Sequence, residues 1–136
     1  MAGSGIRALE PYVRSLLRMV AGFMFSFHGM QKLFGVFGGM GGSGLRAHFM
    51  TVPWIGAFLE LAGGVLLLIG LFAAPTAFIV SGEMAVAYFT AHQPRGFLPV
   101  VNGGELAVLY CFVFLYLSAA GPGPLSVDVL FRKKLR

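Results

Sequence analysis

Apolar positions along the chain gather into four long stretches separated by proline, glycine and polar clusters: 19–37, 53–72, 75–91 and 103–120. At a rise of about 1.5 Å per residue, each approaches the ~30 Å hydrocarbon core of a bilayer. The punctuation agrees with helices. Pro53 and Pro75 fall where a first-turn proline is tolerated, because its missing N–H would have no partner there anyway. Asn102 followed by Glu105 has capping-box spacing, and Gly121-Pro122 stops the fourth stretch. Residues 73–74 alone join the second and third stretches, which predicts an antiparallel hairpin. The connection at 38–44 is glycine-rich and flexible, with a short interfacial helix expected over 45–50. Pro94 and Pro99 make 92–101 a loop. After Pro124, Ser126 can cap a last short helix. Its Val127, Leu130, Phe131 and Lys134 share a face, and Arg132, Lys133 and Arg136 lie near headgroups. The expected fold is all-α: a four-helix transmembrane bundle with a short C-terminal interfacial helix, one domain over 1–136.

Composition strengthens the membrane reading. The 136 residues are 57% apolar and only 11% charged, where a soluble globular chain carries roughly 25% charged residues. Cys111 is the one cysteine, so an internal disulfide and a CxxC metal or cluster site are excluded. The net charge of +5 does not point to nucleic acid, because the basic residues sit at the chain ends. Arg7, Arg14, Arg18, Arg132, Lys133, Lys134 and Arg136 oppose only Arg46 and Arg95 in the intervening loops. This count places both termini of a multi-pass protein in the cytoplasm, at the cell (inner) membrane. No A-x-A site follows the first apolar stretch, which is expected to be an uncleaved helix rather than a signal peptide.

The ionisable residues inside the apolar stretches carry the candidate chemistry. Entering from the cytoplasm at Met19, His28 lies about 13 Å in and Lys32 about 20 Å in; Glu60 lies about 10 Å below the outer surface, and Glu83 about 12 Å up the third helix. One charge at a helix centre costs roughly 2.5–3.5 kcal/mol on insertion scales, so these groups should face inward and pair. Lys32 and Glu60 match in depth and are expected to form an ion pair. His28, Gln31 and Lys32 share one helical face. His28 and Glu83 are expected to face one another near the midplane as a proton-exchanging catalytic pair, with Gln31 and Glu60 above them. Phe23, Phe27 and Phe34 would wall an apolar slot. Gly63 and Gly64 would let a helix approach beside Glu60. Asn102 and Glu105 are a structural cap, and His92 is interfacial. No metal site is expected.

The runs His28-Gly29-Met30-Gln31-Lys32-Leu33-Phe34-Gly35, Glu60-Leu61-Ala62-Gly63-Gly64 with Gly70-Leu71-Phe72, Asn102-Gly103-Gly104-Glu105, and Gly121-Pro122-Gly123-Pro124-Leu125-Ser126-Val127-Asp128 resemble the DoxX family in order and spacing, over nearly the whole chain. The resemblance implies four membrane helices and an association with redox chemistry. Archaeal relatives are subunits of a thiosulfate:quinone oxidoreductase, and mycobacterial relatives form a membrane complex with a superoxide dismutase and a sulfurtransferase. No flavin, haem or iron–sulfur motif is recognisable. The first reading is therefore a quinone-linked subunit of a membrane oxidoreductase complex, with His28, Lys32, Glu60 and Glu83 serving a quinone and electrons coming from a partner. The second is a non-catalytic scaffold anchoring a redox partner, and the third a small transporter or proton pathway. The partners expected are the lipid bilayer and either another redox protein or further copies of this chain.

Overall fold

The computed structural model describes residues 5–134 and contains no strand among them. Six helices follow in order: α1 (Glu10–Phe34), α2 (Val52–Ile69), α3 (Ala73–Ala87), the single turn α4 (Pro99–Asn102), α5 (Glu105–Ala120) and α6 (Val127–Lys134). The all-α expectation holds, but several boundaries move. Helix α1 starts nine residues earlier than the apolar stretch, because Pro11 occupies its first turn and Glu10 pairs with Arg14 one turn on, at 3.4 Å. It ends at Phe34, where Gly35 takes a left-handed φ of 70° and donates its N–H to Gln31 O. Helix α2 stops at Ile69 rather than at 72, with Gly70 at φ 73°. Residues 45–50 form no helix; a short 3-10 turn, Met40–Gly42, occupies the glycine-rich connection instead. Helix α3 continues as a π turn over Tyr88–His92.

Helix α1 packs mainly on α2, and α3 mainly on α5; the two pairs meet at a core that includes Phe25, Leu67, Val80, Tyr110 and Phe114. The α1–α2 approach depends on missing side chains. A Cβ on Gly64 would lie 2.5 Å from Ser26 N and 2.7 Å from Gly22 O, and one on Gly29 would lie 2.4 Å from Leu61 N. The neighbouring Gly63 serves α3 instead, since its Cβ would meet a Val80 methyl at 2.6 Å. Adjacent glycines thus admit two different helices beside Glu60, which the sequence pattern had assigned to one.

Helix α2 is long and apolar enough to cross a membrane by length and composition; α5 is apolar but shorter. Helix α1 is longer, at 25 residues, but contains Glu10, Arg14, Arg18 and Lys32.

Two arginines counted as orientation charges turn out to be structural. Arg18 is fully buried. It donates to Leu67 O, to Leu68 O at 3.0 Å, to Pro122 O at 2.9 Å and to Leu125 O at 2.5 Å. The last carbonyls of a helix have no intrahelical donor and carry partial negative charge, so a guanidinium fork there satisfies both. One turn earlier, Arg14 donates to Ala120 O at the end of α5. Ser15 Oγ accepts from Leu125 N at 3.2 Å. Asp128 accepts from the N–H groups of Phe72 and Ala73 at 2.8 and 2.9 Å, supplying the start of α3 from 55 residues away. Ser126 caps α6 as expected, accepting from Val129 N at 3.3 Å. This network closes the end of the bundle that holds the beginning of α1 and the segment 120–128.

Candidate functional site

The polar residues lie toward the opposite end, around two cavities. The inner one, of about 240 Å³, sits between the helix pairs and is lined by His28, Lys32, Glu60, Met84, Ala107 and Tyr110, with His92 and Gly103 at its mouth. Lys32 Nζ donates to Glu60 Oε1 at 2.5 Å, so the expected ion pair is present. The two partners differ in surroundings: the Lys32 side chain is 35% exposed, and that of Glu60 only 2%. Glu60 Oε2 and the Tyr110 hydroxyl are buried with no hydrogen-bond partner in the protein. His28 stands edge-on to Tyr110, with ring centroids 6.2 Å apart.

The second cavity is an apolar groove of about 550 Å³ along the seam between α2 and α3. Val52, Ile55, Ile79 and Val86 line it and are themselves exposed, so it opens on the outer surface of the bundle. Lys32 and Glu83 are its charged residues. Glu83 Oε2 is buried and unpartnered, and Glu83 Oε1 lies 3.2 Å from where a Cβ on Gly56 would stand. The carboxyl is therefore packed closely over Gly56, where a Cβ would crowd it. Lys32 and Ala87 line both cavities, which makes Lys32 the titratable side chain shared by the two chambers among the described residues.

The expected site is thus divided. His28 and Glu60 line the inner cavity and Glu83 the groove, so His28 and Glu83 do not form the two walls of one pocket. Gln31 lines neither; its amide donates to Phe37 O at 3.0 Å and ties down the end of α1. Phe27 and Phe34 are exposed and line neither cavity, and Phe27 packs against Phe23 and Phe37. The aromatic residues on the inner cavity are instead Phe25 and Tyr110. The periodicity explains the miss, since Phe23, Phe27 and Phe34 fall on the face of α1 turned away from Gly22, Phe25 and Gly29. Among the described residues no cluster of three metal-ligating side chains occurs.

The capping-box assignment at α5 is also corrected. Gly104 is the N-cap, with no side-chain cap bond, and Glu105 is exposed. Asn102 is buried and works as a loop staple. Its Oδ1 accepts from Gly104 N at 2.8 Å, and its Nδ2 donates to Gly96 O at 2.6 Å and to Tyr88 Oη at 3.3 Å. The Tyr88 hydroxyl in turn donates to Phe97 O. His92 is held beside this staple, with Nδ1 at 3.3 Å from Asn102 O and 3.1 Å from the Arg95 guanidinium. Nδ1 can serve one of these at a time, as donor to the first or acceptor from the second. The π turn carries His92 into the cavity mouth rather than leaving it as a bystander at the interface, and a widened turn of this kind leaves no trace in residue spacing.

Comparison with known proteins bears on the whole chain. The family model described as DoxX matches residues 13–93, from the first half of α1 through the π turn. A Haemophilus influenzae protein described as an uncharacterized protein is 38% identical over 135 residues, the match covering 96% of this chain and 99% of the relative. No solved structure matches. The DoxX family is membrane-associated. A family match across α1, α2 and α3 and an end-to-end relative at this identity lead to one conclusion: the chain belongs to the DoxX family.

Proposed function

We propose that this DoxX protein is a multi-pass inner-membrane subunit with both termini cytoplasmic, and that its α2–α3 groove takes a quinone headgroup in a complex with a redox partner. The observation that carries the reading is the groove itself: an aliphatic slot open to the outer surface, with Lys32 and an unpartnered Glu83 carboxyl in its lining. A quinone needs a flat apolar slot and a hydrogen-bond donor or proton carrier for each carbonyl, while its isoprenoid tail needs lipid. Lipid-facing exposure on all four long helices, at Phe23, Phe58, Phe78 and Phe112, supports immersion of the bundle. The charges left at the terminal end after Arg14 and Arg18 are used as caps, Arg7 and the run Arg132, Lys133 and Lys134, still favour the cytoplasm. Converting a quinone to a quinol takes two electrons, which the partner protein supplies, and two protons, for which Glu83 in the groove lining is the exchanging group.

Trp54, the lone tryptophan, directly precedes the groove residue Ile55 and reports on occupancy. Purified protein titrated with a short-tail quinone should show saturable quenching of Trp54 fluorescence. Glu83→Gln, which keeps shape but cannot exchange a proton, should weaken the apparent affinity, and Gly56→Leu, which fills the groove, should abolish saturation. Quenching that stays non-saturable and identical in all three proteins would eliminate the quinone site.

A further inference from the structure

We infer that the inner cavity is a hydrated half-channel, which carries protons from the end of the bundle opposite the termini to Lys32 and through Lys32 to Glu83. The inference rests on the quinone reading only for what consumes the protons. Its first support is the pair of orphaned atoms. Glu60 and Tyr110 are 1% and 6% exposed, both line the cavity, and each keeps one polar oxygen buried with no protein partner. Buried polar groups of this kind are ordinarily satisfied by water with two to four polar neighbours, and 240 Å³ has room for roughly eight waters at ~30 Å³ each.

The second support is where the cavity begins and ends. Its mouth is formed by His92, which the π turn brings into the lining, and by the exposed Gly103 and Leu106. Measured along the helix axes, Tyr110 lies about 8 Å and Glu60 about 12 Å from the nearer helix end, so the path inward is short. Below it the core is sealed by Phe114, Leu67 and Leu117, all essentially unexposed, and then by the Arg18 network. Protons can therefore enter from one end and cannot leak to the other. Third, Lys32 is bonded to Glu60 in the inner cavity and also lines the groove beside Glu83. Its ammonium offers three protons in a compact head, one of them held by Glu60. A proton released to Glu83 is replaced from the Glu60 side, where water, the Tyr110 hydroxyl and His92 lead outward.

The balance is simple. For each quinone reduced, two O–H bonds form at the carbonyl oxygens. Two electrons come from the redox partner, and two protons come from Glu83, reloaded one at a time from the inner cavity. The charge consumed on reduction is thus drawn from the aqueous phase opposite the termini.

Two measurements test this in the intact chain. With Cys111 replaced by alanine, Ala107→Cys places the only thiol in the inner cavity, and Met84→Cys does so from α3 should the first variant fail to fold. A membrane-impermeant methanethiosulfonate is added to each side of sealed, oriented vesicles in turn. Because thiols react as thiolates, which form in water and not in lipid, the cavity cysteine should react from the side opposite the termini alone, at least ~10-fold faster than Phe112→Cys on the outer face of α5. Plugging the mouth with His92→Trp should slow that reaction by about the same factor. Reaction with a lipid-soluble maleimide alone, or equal reaction from both sides, overturns the half-channel. In the second measurement, a short-tail quinone bound to the protein is reduced by a photoreduced flavin, and proton uptake is followed with a pH dye confined to one side. Uptake should come from the side opposite the termini and slow in both His92→Trp and Lys32→Met; uptake at the wild-type rate in both variants overturns the relay. Loss of Trp54 quenching with intact one-sided labelling removes the quinone and leaves the water-filled cavity, so the two readings fail separately.

Discussion

Replacing Arg18 with methionine removes a fully buried charge from the terminal end of the bundle, and the expected loss can be worked out from its partners. The guanidinium serves four carbonyls: Leu67, Leu68, Pro122 and Leu125. Hydrogen bonds from a charged donor contribute about 1.5–3 kcal/mol each, or roughly 6–12 kcal/mol for four. Against this stands the cost of dehydrating the ion, several kcal/mol for a group with no exposure. Methionine fills much of the volume and escapes that cost, but leaves the four carbonyls without the guanidinium, with only Leu67 O keeping a backbone donor, Gly70 N–H at 3.2 Å. The net loss should be about 3–5 kcal/mol. Arg18→Lys is the informative control, because one nitrogen cannot span carbonyls from the end of α2 and from the 122–125 segment. It should recover less than half of the loss. Unfolding in mixed micelles of a mild detergent and dodecyl sulfate gives the midpoint shift, and limited proteolysis reports whether 121–134 detaches before the bundle opens. A loss below about 1 kcal/mol, with 121–134 still protected, would refute the reasoning.

Three other outcomes follow from the same geometry. Lys32→Met strands a buried carboxylate and should cost about 3–5 kcal/mol, whereas Glu60→Gln leaves a lysine already 35% exposed and free to swing out, and should cost about 1–2 kcal/mol. The double variant measured in micelle unfolding should lose less than the sum, and strict additivity would show that the pair makes no coupled contribution. Gly64→Ala pushes a methyl into Ser26 N and Gly22 O and should cost at least ~1–3 kcal/mol by the same assay, while Gly82→Ala, with open space around it, should be neutral or stabilising by up to ~1 kcal/mol; equal effects would contradict the α1–α2 packing. Reporter fusions after residue 136 and within the loop at Gly42 should report opposite sides of the membrane, and same-side signals would remove the four-span topology.

The four long apolar stretches were legible because their length and glycine–proline boundaries survive without tertiary information, and the Lys32–Glu60 pair because depth can be counted along two adjacent helices. The beginning of α1 was not, because the charges at Glu10, Arg14 and Arg18 read as a polar lead-in, whereas the partners of the two arginines are carbonyls 49 to 107 residues away. Nothing in the local pattern marks a carbonyl as needing a donor. The Arg14–Arg18 spacing of one turn, with Ser15 between, was the available sign that a single face of α1 points into the bundle. The site was legible as a set of residues but not as two chambers. Depth matching put His28 and Glu83 at one level, yet depth says nothing about rotation around a helix axis, and rotation sends His28 toward Tyr110 and Glu83 toward Gly56.

The two capping arginines act at different times. When α1 first leaves the ribosome, the carbonyls of residues 67, 68, 120, 122 and 125 have not been made, so Arg14 and Arg18 have none of the partners that bury them in the folded chain. On the topology proposed above, they are at that stage positive charges that hold the N-terminus back. Once α5 and the segment after it arrive, the same charges are withdrawn from water and bonded to the ends of α2 and α5. Insertion and closure are therefore ordered by synthesis. The terminal end of the bundle stays open until residue 125 is in place: a chain cut short before Ala120 leaves Arg14 without its carbonyl and Arg18 with only the Leu67 and Leu68 carbonyls of its four.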